Sequence, residues 1–351
     1  MLQAVMTAPG RIEIREVPEP EAGKEQVLIK IKRIGVCGSD IHVYHGKHPF
    51  TTYPVVQGHE VSGQVLGVGP DVSGIREGDK VTIQPQVVCG KCFACRHHQY
   101  HICDELKVMG FQTAGMASEL FAVDAERVLT LPEKISYDQG AMVEPLAVGV
   151  HALQRGGEVH GKKILILGAG PIGNLTAQAA KGLGADMVMI TDISAYRLDT
   201  AAECGIDHCI NTATDDLGAR IADAFGPDRA DLTLECVGIN ETMDQAVHCA
   251  RKGTDIIVVG VFQEKATVDL GLVQDRELRL IGTLMYQKSD FLAAIELIEK
   301  GKIRLDPLIS NHFDFKDYAA AYEYIETNRD KCLKVIIKGA GWRYGDNSSN
   351  D

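Results

Sequence analysis

The chain has 351 residues, 45% of them hydrophobic and 24% charged, the composition of a globular protein with about two domains of roughly 100–200 residues each. A chain of this size buries enough apolar surface to fold without covalent staples. Its formal net charge of -12 excludes the basic surface that nucleic acid or an anionic membrane selects, and serves solubility instead.

The N-terminal stretch MLQAVMTAPGRIEIREV lacks a basic and apolar leader pattern, and no run reaches the roughly 18 apolar residues of a membrane span. A cytoplasmic chain with reduced thiols is therefore expected. Residues 1 to about 150 read as short strands punctuated by Gly and Pro, among them VLIKIKRI (27–34), EVSGQVLGVG (60–69) and DKVTIQP (79–85). Between these strands, GVCGSDIH (35–42) and GHE (58–60) carry Cys37, His59 and Glu60. EPLAVG (144–149) adds Glu144 directly before a proline, which biases that residue away from helical geometry.

CGKCFACRHHQYHIC (89–103) places Cys89, Cys92, Cys95 and Cys103 in the pattern C-x2-C-x2-C-x7-C. Bacterial iron–sulfur segments use a shorter last spacing followed by proline, whereas Asp104 follows here. Four thiolates in a reducing compartment suit tetrahedral zinc, and such a site is coordinatively closed, hence structural. A metal-free or redox lobe is the alternative. His97, His98 and His101 read as loop surface, and Cys204, Cys209, Cys236, Cys249 and Cys332 as small buried hydrophobes.

Near residue 160 the pattern changes. KKILILGAG (162–170), MVMITD (187–192), ADLTLECVG (230–238) and TDIIVVG (254–260) are apolar strands alternating with helical stretches, the signature of parallel βαβ units. GAGPIG supplies Gly168, Gly170 and Gly173 for a tight turn, close approach to a pyrophosphate and close helix–strand packing. Asp192 ends the second strand, where a carboxylate binds a ribose 2′-hydroxyl and repels a 2′-phosphate, so NAD is expected over NADP. Arg197 is expected beside the adenine or in solvent. Ile172, Val259, Gly260, Val261, Thr283 and Met285 complete the expected cofactor set. SDFLAAIELIEKGKI and KDYAAAYEYIE read as amphipathic helices, LKVIIKG as a closing strand and GWRYGDNSSND as a frayed tail.

One thiol, one imidazole and two carboxylates fit an open catalytic zinc, but spacing does not join residues so far apart. Taken singly, they read as a buried Cys, a core His and exposed acids. GVCGSDIH, GHEVSG, the four-cysteine lobe, EPLAVGVHA and GAGPIG with Asp192 together resemble the zinc-dependent medium-chain alcohol dehydrogenases. The resemblance implies an α/β protein: a GroES-like β-rich catalytic domain, residues 1–150 completed by 288–351, and a Rossmann NAD-binding domain, residues 151–287, with the active site in the cleft between them. It implies one catalytic zinc on Cys37, His59 and Glu144, with Glu60 ligating directly or through water, and one structural zinc. It also implies a homotetramer, or a homodimer, acting on a small alcohol or ketone.

Glu144-Pro145 is similar to the polyol, 2,3-butanediol and threonine dehydrogenase branches. Sorbitol-type members commonly carry Arg-Tyr where this chain has Met285-Tyr286. Tyr286 is thus the expected substrate contact, without the arginine. The expected reaction takes a secondary alcohol to a ketone, with Ser39 bonding the substrate oxygen and His42 passing the proton outward. His45 and His48 read as loop residues. A zinc-free quinone-reductase relative is the alternative of a different class, and an amino-alcohol dehydrogenase the nearer one.

Overall fold

The computed structural model describes residues 1–340; the expected frayed tail, 341–351, lies outside the described residues. The chain opens with a hairpin, β1 (Leu2–Ala8) and β2 (Arg11–Glu16), turned at the left-handed Gly10. In β3 (Gln26–Val36), Val27, Ile29 and Ile31 alternate onto one buried face. Helix α1 (Gly38–Tyr44) follows at once, and Asp40 accepts the Cys37 backbone N–H at 2.9 Å to fix its start. Strands β4 (Glu60–Val68), β5 (Lys80–Ile83) and β6 (Gln86–Val87) lead into the cysteine lobe. That lobe holds the single-turn α2 (Phe93–Arg96) and is closed at its neck by β7 (Lys107–Val108) pairing with β6. Strands β8 (Leu120–Asp124) and β9 (Val128–Thr130) and helix α3 (Tyr137–Ala141) complete the N-terminal part.

Helix α4 (Val143–Arg155) corrects one expectation: Glu144 is helical. Pro145 falls in the first turn, where its missing N–H would have had no helical acceptor, so the local bias against helix is overridden. The alternating region then runs β10 (Lys163–Leu167), α5 (Pro171–Gly182), β11 (Met187–Asp192), α6 (Ala195–Glu203), β12 (His208–Asn211) and α7 (Leu217–Phe225). It continues with β13 (Leu232–Glu235), α8 (Asn240–Cys249), β14 (Asp255–Val258), α9 (Leu270–Asp275), β15 (Arg279–Gly282) and α10 (Lys288–Glu299). The C-terminal segment adds β16 (Ile309–Asp314), α11 (Tyr318–Thr327) and β17 (Lys334–Lys338).

Two compact units result: residues 1–144 with the segment from Ile309 onward, and residues 145–308. The first is built on a seven-stranded sheet ordered β16-β17-β3-β4-β5-β9, with β8 also paired to β3. Its core gathers Ile29, Ile31, Ile34, Val61, Val81 and Tyr322. The second carries a six-stranded parallel sheet ordered β12-β11-β10-β13-β14-β15, the doubly wound dinucleotide-binding arrangement. Every residue of β10 from Ile164 to Leu167 is fully buried, as helices on both faces require.

The unit boundaries differ from the expected 150 and 288. Helix α10 stays with the parallel sheet because Asp290 meets His151 of α4 at 2.8 Å, both buried, and Leu297 lies against Gly182 of α5. Among the described residues no helix is long and apolar enough to cross a membrane.

Candidate active site and metal centres

The end of β3, the start of β4 and the turn into α1 converge. One ligating atom from each of Cys37, His59 and Glu60 lies within 4.8 Å of the others, and His59 and Glu60 are buried. Glycine makes the room, since a Cβ on Gly35 would collide with Glu60 Oε2. The Glu60 carboxylate is not left alone in the core. Lys334 of β17 donates to its two oxygens at 2.7 and 2.6 Å and to the Val36 carbonyl at 3.1 Å. Glu144 is 5% exposed. Lys334 is desolvated, which lowers its pKa, but Glu60, Cys37 and Glu144 outweigh that and raise it. The Glu60 carboxylate therefore faces a buried ammonium.

His59 presents Nδ1 to Asp40 Oδ1 at 3.5 Å. That separation exceeds a formed hydrogen bond, and Nδ1 has no hydrogen-bond partner by geometry. Burial lowers the pKa of the ring, but Asp40 and Cys37 overcome it and hold it well above the ordinary value. A cation seated among these groups replaces that proton, because a ligating imidazole is neutral. The donor set of thiolate, imidazole and carboxylate, clustered with His59 and Glu60 buried, fits a catalytic zinc with an open position.

Ser39 and His42 lie on α1, both partly buried. Burial lowers the His42 pKa, and His45 and Lys47 lower it further. His48 stacks on Phe111 with 4.7 Å between ring centroids, and Phe111 tilts against His59 at 5.0 Å. His48 and Phe111 thus belong to the same wall, a role the sequence did not reveal.

The second cluster is local. Cys89, Cys92, Cys95 and Cys103 bring their sulfurs within 4.8 Å of one another. Cys103 Sγ lies 3.5 Å from Cys89 and 3.9 Å from Cys92. A tetrahedron with Zn–S bonds of about 2.3 Å has edges of roughly 3.8 Å, so the spacing fits. Backbone N–H groups of Cys89, Cys92 and Cys95 point at cluster sulfurs over 3.3–3.5 Å. Those of Cys95 and Asp104 lower Cys92 to about 6. Desolvation and the neighbouring thiols push Cys95 up to about 12, so four thiolates need a cation to coexist. His97 and His98 are exposed as expected; His101 is buried, correcting its surface assignment. Of the remaining thiols, Cys204 and Cys332 are buried and the other three partly so, and none of the ten cysteines forms a disulfide.

In residues 145–308 the expected cofactor residues collect at the carboxyl ends of the parallel strands. Gly168 sits in the left-handed region at φ 102°, and a Cβ there would meet Val237 Cγ2 at 2.5 Å. A Cβ on Gly173 would collide with the Gly168 carbonyl, while one on Gly170 would meet nothing within 4 Å. The loop is thus packed from behind and open in front, which fits a pyrophosphate approaching backbone at the α5 N-terminus, where Pro171 and Ile172 begin the helix.

Asp192 accepts the backbone N–H groups of Ala169, Ile193 and Ser194 at 2.8–2.9 Å, and Arg197 lies 3.6 Å from its Oδ2. The carboxylate therefore anchors the glycine turn. Val259 and Gly260 donate to the Glu235 carbonyl at 2.8 and 2.9 Å, Val261 is exposed, and Thr283 donates to Val258. Met285 takes a left-handed φ of 53°. Tyr286 is fully buried with its ring edge-on to Phe291 at 4.9 Å.

Sequence reasoning missed Asp40, Gln57 and Lys334. Lys334 alone left a signal, a charge opening the strand KVIIK whose only other charge is Lys338 at its far end.

Comparison with known proteins agrees with this architecture. The alcohol dehydrogenase GroES-like domain family matches residues 23–133, and the zinc-binding dehydrogenase family matches residues 171–300. L-threonine 3-dehydrogenase of Pyrococcus horikoshii is 32% identical over 345 residues, covering 96% of this chain and 99% of that protein. Sorbitol dehydrogenase 1 of Saccharomyces cerevisiae is 33% identical over 347 residues, covering 95% and 97%. An alcohol dehydrogenase from Escherichia coli CFT073, solved with NADH, is 29% identical with a TM-score of 0.89, covering 96% of this chain and 99% of that one. With both metal-ligating clusters and the dinucleotide fold in place, the chain belongs to the zinc-dependent medium-chain alcohol dehydrogenase family.

Proposed function

We propose that this dehydrogenase reversibly oxidises a secondary alcohol with a neighbouring oxygen (a polyol, sugar alcohol, sugar acid or vicinal diol) to the ketone, using NAD. The observation that carries this reading is the convergence of Cys37, His59 and Glu60 in one cluster, with the Glu60 carboxylate held by the buried Lys334. Glu144 is a carboxylate in the place where simple alcohol dehydrogenases commonly carry a thiolate, and a sorbitol dehydrogenase is among the relatives. Cys37, His59 and Glu144 would hold the zinc and Glu60 would lie beside it, its charge shared with Lys334.

Zinc supplies a Lewis acid that acidifies the substrate hydroxyl, and NAD the hydride acceptor. Ser39 would orient the hydroxyl by accepting its proton in a hydrogen bond. His42, kept neutral by burial, would take the released proton and pass it to solvent. The glycine turn and Asp192 would fix the adenosine end of NAD. Retention of the whole ligand set argues against a zinc-free relative. Family resemblance supports a homotetramer acting in the cytoplasm.

The test is NAD reduction by a vicinal diol against its mono-ol on the same carbon skeleton. The diol is expected to win by roughly 5- to 150-fold in kcat/KM, the effect of about 1–3 kcal/mol from one unmade hydrogen bond. Faster turnover of a simple primary alcohol overturns the substrate class. L-threonine belongs in the same screen, because a threonine dehydrogenase is among the relatives.

A further inference from the structure

We propose that Gln57 and Tyr322 are positioning residues for the metal centre, linking helix α11 to the zinc-ligating His59 through Asp40. The proposal rests on the reading of Cys37, His59, Glu60 and Glu144 as the zinc site. Gln57 Nε2 donates to Asp40 Oδ1 at 3.1 Å and to the Asp40 carbonyl at 3.3 Å. Tyr322 donates its hydroxyl to Gln57 Oε1 at 2.9 Å. The amide orientation is forced, because both atoms facing it on Asp40 are oxygens that only accept in the carboxylate form. The other carboxylate oxygen of Asp40 accepts the Cys37 N–H at 2.9 Å. Asp40 is thereby held from both sides, with Oδ1 directed at His59 Nδ1.

None of these groups reaches solvent in quantity: Asp40 is 1% exposed, Gln57 2%, His59 5% and Tyr322 0%. Asp40 Oδ1, 3.5 Å away, is the carboxylate oxygen nearest to Nδ1; closing that gap when metal binds would place the ring proton on Nδ1 and leave Nε2 for the metal. The alignment of that carboxylate is set by its own partners. Gln57 supplies two donors where a leucine would supply none, and Tyr322 is seated by stacking on Tyr318 at 5.8 Å and tilting on Tyr44 at 5.3 Å. Tyr318 and Tyr322 are both raised far above the ordinary tyrosine range by burial, so the Tyr322 hydroxyl stays a donor. The C-terminal helix, remote in sequence from the ligands, therefore sets the orientation of a ligand on the β3–β4 side.

Zinc affinity of the full-length enzyme, measured by competition with a chromogenic chelator, tests this. The four-thiolate zinc and NAD affinity serve as internal controls in the same sample. Gln57→Leu should weaken the labile zinc by about 10- to 100-fold, the range for removing a partner behind a ligand. Tyr322→Phe should weaken it by roughly 2- to 10-fold. Because Tyr322 acts through Gln57, the double variant should lose no more than Gln57→Leu alone. Gln57→Glu keeps the acceptor for Tyr322 but places a carboxylate against Asp40, and should be at least as damaging as leucine.

Retention of wild-type zinc affinity in folded Gln57→Leu and Gln57→Glu overturns the proposal, as does full additivity of the two single losses. Should Gln57→Leu fail to fold, Tyr322→Phe with unchanged labile-zinc affinity overturns it by itself. A wild-type chain that binds only the four-thiolate zinc overturns the site reading, and this proposal with it.

Discussion

The two metal-ligating clusters are built in opposite ways. The four cysteines lie within residues 89–103, and their sulfurs are approached by the backbone N–H groups of the same loop. Cys37, His59 and Glu60 come from the end of β3, the turn into α1 and the start of β4, while Lys334, which holds Glu60, and Tyr322, which holds Gln57, come from the far end of the chain. The lobe needs only its loop and a metal to define itself. The other site is defined by the fold, and in turn places charged groups where the fold must pay for their desolvation. One cluster thus supports structure; the other depends on structure.

The largest expected effect breaks the second cluster from behind. Lys334 and Glu60 are 2% and 0% exposed in their side chains. Lys334→Met leaves Glu60 as an unpaired buried carboxylate, and losing one partner of such a pair typically costs about 3–5 kcal/mol. Thermal unfolding should show a fall of roughly 10 °C or more. Adding Glu60→Gln removes the stranded charge and should restore most of the loss. If the double variant is no more stable than Lys334→Met, the pair is not the origin of the effect.

Next comes the contrast between the clusters themselves. Cys95→Ser should remove one zinc and lower stability by about 2–3 kcal/mol, roughly 5–10 °C, while folded enzyme keeps its turnover within about twofold. Glu144→Ala should do the reverse, with unfolding little changed and kcat/KM down at least about 100-fold, beyond the usual effect of residues behind the ligands. Equal losses of stability and activity in both variants would erase the distinction between a structural and a catalytic metal.

The same contrast explains what could be read from the sequence. The cysteine lobe was legible from spacing because its chemistry is local, and the glycine turn with Asp192 was legible because a βαβ unit keeps its parts within about 30 residues. Cys37 and His59 joined into one site only through family resemblance, since their proximity is a property of sheet topology, and the same resemblance supplied Glu144 as an expectation. Asp40, Gln57 and Tyr322 carried no signal, being ordinary polar residues whose role is created by packing. Glu144-Pro145 misled because a dipeptide preference ignores where in a helix it falls.

The smallest expected effect separates the histidines of the two regions. His97, His98 and His101 lie in the lobe, where replacing the exposed His97 by Ala should leave turnover and its pH profile unchanged. His42 lies on α1, five residues past Cys37. Burial, then His45 and Lys47, lower its pKa below the ordinary 6.5. A depressed histidine is neutral at and above neutral pH, the form that accepts a proton, and becomes charged only as pH falls through its lowered pKa. The acid limb of the kcat profile for alcohol oxidation should therefore lie below pH 6.5 if His42 carries the proton out. His42→Gln should remove that limb and lower kcat by about 10-fold, less than the usual range for general acid–base groups because water can take over part of an outward relay. Added imidazole should recover part of the loss. An unchanged limb in His42→Gln would assign the titration to another group and leave His42 as a side chain that merely packs beside the metal centre.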